Sequence, residues 1–151
     1  MNTHFDVLRQ TRHNILNVVE PFSNKELNFI PPGFNNNLAW NLGHVLVTQQ
    51  LLCYRLSGLA CHINDDLIDR FRKGTKPGGR VLEDDILMIK DHLQELANRT
   101  ETDHRSGKFQ EYKDYPTSFG VTLHGIEDAL QFNNVHEGMH LGTMMGIRKL
   151  L

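Results

Sequence analysis

His136-Glu137-Gly138-Met139-His140 sets two imidazoles four residues apart near the end of the chain. On a helix that spacing stacks both rings on one face, one turn apart. Two such rings make half of a tetrahedral zinc-type site, which takes nitrogen ligands at about 2.0–2.1 Å. The same five residues satisfy His-Glu-x-x-His, the zinc-protease signature in which Glu is general base and a third ligand lies downstream. The sequence downstream argues against that reading. The three-His form needs Gly and His where this chain has Thr143 and Gly146, and Leu141 to Leu151 contains no His, Asp, Glu or Cys. A remaining protein ligand must come from upstream, so the pair predicts a fold that brings distant helices together.

The helix carrying the pair is expected from about Thr122 to Leu150, with Ala129, Asn133, His136, His140, Thr143 and Ile147 within one arc. Three more segments carry helical signals. The first runs from Thr3 to Glu20, with Phe5, Leu8, Ile15, Leu16 and Val19 at near-helical spacing before Pro21 stops it. The second starts at Asn36 or Asn37, a natural N-cap, and passes through Trp40, His44, Val47 and Leu51 to Gly58. The third fits Leu82 to Ala97, with Ile86, Ile89, Leu93 and Leu96 inward and Glu83, Asp84 and Asp85 in its first turn. No run looks like a buried sheet. Two long connections separate the later helices: the basic, breaker-rich Phe71 to Arg80, and Glu101 to Val121. Four amphipathic helices with long crossovers predict an all-α four-helix bundle, an architecture that builds metal sites from facing helices.

His44 is the best upstream ligand, because it lies between Trp40, Val47 and Leu51 on one inward stripe of the second helix. Taken singly, each histidine reads as a hydrogen-bonded core residue or a surface pair. Taken together, His44, His136 and His140 are three imidazoles on the inward faces of two helices, which favours a metal. His13 and His124 stand as pocket candidates, while His4, His62, His92 and His104 read as solvated.

The bulk properties narrow the function classes. At 151 residues the chain is expected to form one domain, residues 1–151. Sixteen Lys and Arg against eighteen Asp and Glu give a net charge of -2, so no global basic surface addresses nucleic acid. Met1 to Gln10 lacks a signal-peptide pattern, and no apolar run approaches the ~18 residues of a membrane span. The expectation is a soluble, cytoplasmic protein without membrane association. Cys53 and Cys61 form no Cys-x-x-Cys pair and read as reduced thiols.

Asn41-Leu42-Gly43-His44 in the second helix, with Asn133-x-x-His136-Glu137-x-x-His140-x-Gly142 in the fourth, resembles the DinB-like (YfiT-type) metal-binding four-helix bundle superfamily. The resemblance covers essentially the whole chain. It implies an up-down-down-up bundle holding one divalent metal on three histidines, which map here to His44, His136 and His140. Zinc or nickel heads the choice of ion, with iron and manganese behind. The relatives it implies include S-transferases using bacillithiol, mycothiol or glutathione, a mycothiol-dependent maleylpyruvate isomerase, metal-dependent hydrolases, and damage-inducible members without known activity. The leading expectation is a thiol S-transferase-like enzyme acting on a small molecule with a low-molecular-weight thiol cosubstrate. Its alternatives are a metal-dependent hydrolase and a non-catalytic, stress-related metal- or ligand-binding protein.

Three protein nitrogens leave a tetrahedral ion one open position, suited to an anionic nucleophile such as a thiolate or hydroxide. Glu137, one residue past a ligand, is a catalytic candidate as a proton shuttle, with a solvated helix carboxylate as the competing reading. Asn41 and Asn133 each precede a ligand by three residues and are expected to hydrogen-bond an imidazole or the substrate. Trp40 joins them as a pocket residue. Arg72, Lys73, Lys76 and Arg80 offer cations for the carboxylates of a small thiol. Gly138, Gly142 and Gly146 repeat every four residues and predict close approach of another backbone. The second helix has a further apolar arc, Leu38, Leu42, Val45, Leu52 and Leu56, which predicts either central burial or a homodimer contact.

Overall fold

Four long helices account for most of the computed structural model, which describes residues 3–151. Helix α1, Thr3–Val19, turns Phe5, Leu8, Arg12, Ile15 and Val18 inward at helical spacing and ends just before Pro21. A single turn, α2 (Asn24–Leu27), follows under a capping box in which the Ser23 hydroxyl accepts from the Glu26 N–H while the Glu26 carboxylate accepts from the Ser23 N–H. Helix α3, Leu38–Cys53, begins where the Asn37 side chain accepts from the Trp40 N–H at 2.8 Å. It ends five residues before the expected stop at Gly58, giving way to a 3-10 turn over Arg55–Ser57 and to Gly58 itself at φ 72°. Helix α4, Asp65–Phe71, is capped by Asn64 and carries Asp65 and Asp66 at its positive N-terminus. Neither short helix is visible as a periodic run, because four and seven residues show at most two turns of pattern.

Helix α5, Glu83–Arg105, extends two turns beyond Ala97. Its buried line continues from Leu93, Leu96 and Ala97 into Thr100 and Asp103, so polar residues on the inner face hide the period. Residues Tyr115–Pro116 and Thr122–Leu123 pair antiparallel as the strands β1 and β2. Thr122 therefore belongs to this small hairpin, and helix α6 starts at Ile126, running to Ile147.

Helix α3 lies at the centre, packed against α4, α5 and α6, while α1 closes the far side against α5 and α6. Fourteen of its sixteen residues are buried, which meets its two-sided apolarity inside the chain and removes that argument for a second copy. The glycines of α6 behave differently from expectation. Nothing lies within 4 Å of where a side chain would begin at Gly138 or Gly142, and Gly146 meets only the Phe34 ring at 3.4 Å. The crowded glycine among the described residues is Gly43, where an added side chain would run into the buried ring of Phe71. No helix among the described residues is long and apolar enough to cross a membrane.

Candidate metal centre

The central helix α3 delivers His44, and α6 delivers His136 and His140 across from it. One nitrogen from each ring lies within 4.8 Å of the others. The Nε2 atoms of His44 and His136 are 3.2 Å apart, close to the roughly 3.3 Å that separates two ligands of a tetrahedral ion at bond lengths of 2.0–2.1 Å.

Hydrogen bonds fix which nitrogen faces the centre. His44 Nδ1 lies 2.6 Å from the carbonyl oxygen of Phe71, which can only accept, so Nδ1 carries the proton and Nε2 the lone pair. His140 Nδ1 lies 2.7 Å from Asn41 Oδ1. The Asn41 amide is itself oriented, because its Nδ2 donates to Asn36 Oδ1 at 2.8 Å and to the Asn37 carbonyl at 2.7 Å. Its oxygen must therefore accept from His140, leaving that ring's Nε2 unprotonated as well. Such partners orient ligating imidazoles in metal sites generally. Of the three rings, His136 alone has no hydrogen-bond partner for its buried Nδ1 among the described residues.

The sequence profile of the DinB superfamily matches residues 7–144. The chain belongs to the DinB superfamily. No curated protein matches it significantly. Membership agrees with the resemblance carried by Asn41 to His44 and by Asn133 to Gly142, and the three-histidine group is present. The donor set of this DinB-superfamily chain fits a divalent ion of the kind imidazole prefers, with zinc, nickel and iron all in that class.

Burial holds the rings neutral, as ligands must be. It pushes the His136 imidazole down to about 3 and His140 to about 4, each further lowered by its neighbouring rings, and it lowers His44 despite the Phe71 hydrogen bond. These shifts have a thermodynamic sign. In the unfolded chain each imidazole takes a proton near 6.5, whereas the folded centre refuses it until far lower pH. The stability these groups confer is complete above about pH 6.5 and is lost as the pH falls toward the folded values, at no more than about 1.4 kcal/mol per pH unit for each histidine. Urea midpoints of chelator-treated protein are expected to drop between pH 7 and pH 5.5. A midpoint that stays level across that interval would show that the rings are not held neutral.

Trp40 stacks on His44, ring centroids 4.5 Å apart and 12° from parallel, and its indole N–H donates to Thr75 Oγ1 at 3.1 Å. It is a wall behind His44 and an anchor for the loop after α4. Asn133 and Glu137 take roles different from those their spacing suggests. Glu137 is fully buried and accepts from Arg12, with Arg12 Nη2 at 2.8 Å, while Asn133 Nδ2 donates to the same carboxylate at 2.9 Å. Because residues 133 and 137 are one turn apart, they share a face turned toward α1. Glu137 is thus engaged by Arg12 and turned toward α1, and it is buried where a solvated helix carboxylate was the competing expectation.

The remaining histidines lie elsewhere. His13 is exposed, and His124 pairs with Asp114 at 3.0 Å. His104 meets Glu127 at 2.6 Å, and His62 sits edge-on to Tyr54 beside Asp103, so these two are tied into the surface rather than simply solvated. Sequence reading missed Phe71, whose contribution is a backbone oxygen, and Arg12, a charged residue on an otherwise apolar stripe.

A cavity of about 430 Å³ opens beside the centre, with His44 and His136 in its wall. Leu51, Leu52 and Leu56 of α3 and its following turn, Phe132 of α6, and Tyr115, Thr117 and Ser118 of the hairpin complete most of it. Of the basic loop, only Lys73 reaches this cavity. Lys76 and Arg80 line a separate cleft next to Trp40, and Arg72 lies 3.8 Å from Asp69.

Proposed function

We propose that this DinB-superfamily protein is a metal-dependent thiol S-transferase built on an up-down-down-up four-helix bundle with long crossover loops. The observation that carries the proposal is the position of the histidine centre in the wall of an apolar cavity, which gives the reading an open rather than a closed coordination sphere. A divalent ion held by His44, His136 and His140 would supply Lewis acidity and lower the pKa of a small nucleophile. The chain supplies the rest. Phe71 and Asn41 hold two rings in the productive tautomer. Leu51, Leu52, Leu56 and Phe132 exclude water that would compete with the thiol for the electrophile. The sulfur forms its bond to an electrophilic carbon as that carbon's bond to the leaving group breaks.

We rank thiol transfer ahead of hydrolysis on the apolar wall of the cavity, where Leu51, Leu52, Leu56 and Phe132 favour the carbon body of a thiol and an electrophile over delivery of water.

The test is metal analysis of protein purified without an affinity tag. About one divalent ion per chain is expected in the wild type and none in His44→Ala or His136→Ala, while Asn41→Leu weakens affinity about 10–100-fold by freeing the His140 ring. Addition of a thiol to the cobalt-substituted protein should shift its visible spectrum. A metal-loaded protein whose spectrum ignores thiols would be a binding protein rather than a transferase. Failure to take up zinc, nickel, iron or manganese would remove the metal centre altogether.

A further inference from the structure

The cavity beside the histidines carries a charge asymmetry that extends beyond the basic loop to the end of α3. Two cations border it, Arg55 and Lys73, and no anion does among the described residues. Arg55 is half-exposed, and its Asp65 partner stands 3.6 Å away with 91% of its side chain in solvent, a pairing too loose and screened to neutralise it. The Lys73 side chain has no hydrogen bond or ion pair with any described residue. A cleft with apolar walls and one sign of charge concentrates ligands of the other sign.

Position adds a length. Arg55 follows His44 by eleven residues along α3 and its terminal turn, roughly 16 Å at the helical rise of 1.5 Å per residue. Between them run Thr48, Leu51 and Leu52, all lining the same cavity. A ligand that reaches from the histidine end to the Arg55 guanidinium must cross apolar wall for most of its length, and 430 Å³ lies within the roughly 300–1,000 Å³ of small-molecule sites.

We infer that the molecule transformed here is an apolar organic carboxylic acid, its hydrocarbon body lying along Leu51, Leu52 and Phe132 and its carboxylate held by Arg55 at the end remote from the histidines. This identification of the substrate rests on the proposed transfer reaction for its meaning, but the selectivity itself resides in the protein without metal. Lys73 adds to the positive field, and the planar Arg55 fork makes the directed contact.

The experiment compares 4-phenylbutyrate with 4-phenylbutanol, two probes sharing one carbon skeleton, by calorimetric titration of the chelator-treated and zinc-loaded protein. The acid is expected to bind at least about tenfold more tightly than the alcohol in both forms, as a charge-assisted hydrogen bond requires. Arg55→Gln should bring the acid to within about threefold of the alcohol without weakening the alcohol, and Arg55→Lys should restore part of the preference. Circular dichroism melts confirm that the variants fold, since Arg55 is a half-exposed turn residue. Equal affinity of the two probes, binding of neither, or an acid preference that survives Arg55→Gln would overturn the inference. So would a preference present only with zinc, which would put the carboxylate on the ion. Metal stoichiometry, read separately, tells a failure of the transfer proposal from a failure of this one.

Discussion

Replacing Arg12 with methionine is expected to lower the unfolding free energy by about 3–5 kcal/mol, a large part of the 5–15 kcal/mol that holds a typical domain together. Both members of the Arg12–Glu137 pair are essentially excluded from solvent, at 1% and 0% side-chain exposure. Each guanidinium nitrogen is engaged: Nε lies 3.2 and 3.1 Å from the two carboxylate oxygens, Nη2 lies 2.8 Å from one of them, and Nη1 donates to the Leu93 carbonyl of α5 at 2.8 Å. Removing it strands a carboxylate among apolar neighbours with only Asn133 as donor. The penalty is the desolvated, uncompensated charge, so the double variant Arg12→Met/Glu137→Leu should recover most of the loss. Urea denaturation of the three proteins decides the matter. A single variant as stable as the wild type would mean that water or rearrangement reaches Glu137.

Gly43→Ala should cost about 1–3 kcal/mol in stability and at least about tenfold in metal affinity, although alanine is ordinarily the better helix former by up to about 1 kcal/mol. An added β-carbon would lie 2.4–2.6 Å from three atoms of the Phe71 ring, well inside contact distance. The ring is 2% exposed and cannot swing into solvent, so the end of α4 must shift instead. The Phe71 carbonyl that accepts the His44 proton moves with it. Gly142→Ala provides the contrast, since nothing lies near its added carbon, and a gain of about 0.4–1 kcal/mol is expected. Thermal melts and chelator competition measure both effects. A Gly43→Ala protein that melts above the wild type would refute the packing argument.

The same two residues show what a sequence can and cannot disclose here. Helical spacing located all four long helices, and the His pair, with His44 on its inward stripe, is the group the structure brings together. Glycine spacing misled, because three glycines in register on α6 suggested close approach, whereas the crowded one is Gly43 on α3. Spacing along one helix gives the direction of a side chain but not the identity of what packs there. The surroundings of Glu137 were hidden for a related reason. It lies one residue from His136 in sequence, yet one residue is a 100° turn, which points it at Arg12 of α1. The end of α5 was hidden because Thr100 and Asp103 occupy buried positions, where their polar groups are met by Gln49 and Tyr54, partners 46–51 residues away.

The stacking of Trp40 on His44 makes the protein its own optical probe. The chain contains a single tryptophan, so all indole emission originates 4.5 Å from one of the three imidazoles. A positive charge arriving on that ring, whether as a proton or through an ion, withdraws electron density beside the excited indole and dims it. Steady-state fluorescence can therefore follow occupancy of the histidine cluster in unlabelled protein, and the quenching amplitude distinguishes filling of this cluster from ions adsorbed at the surface.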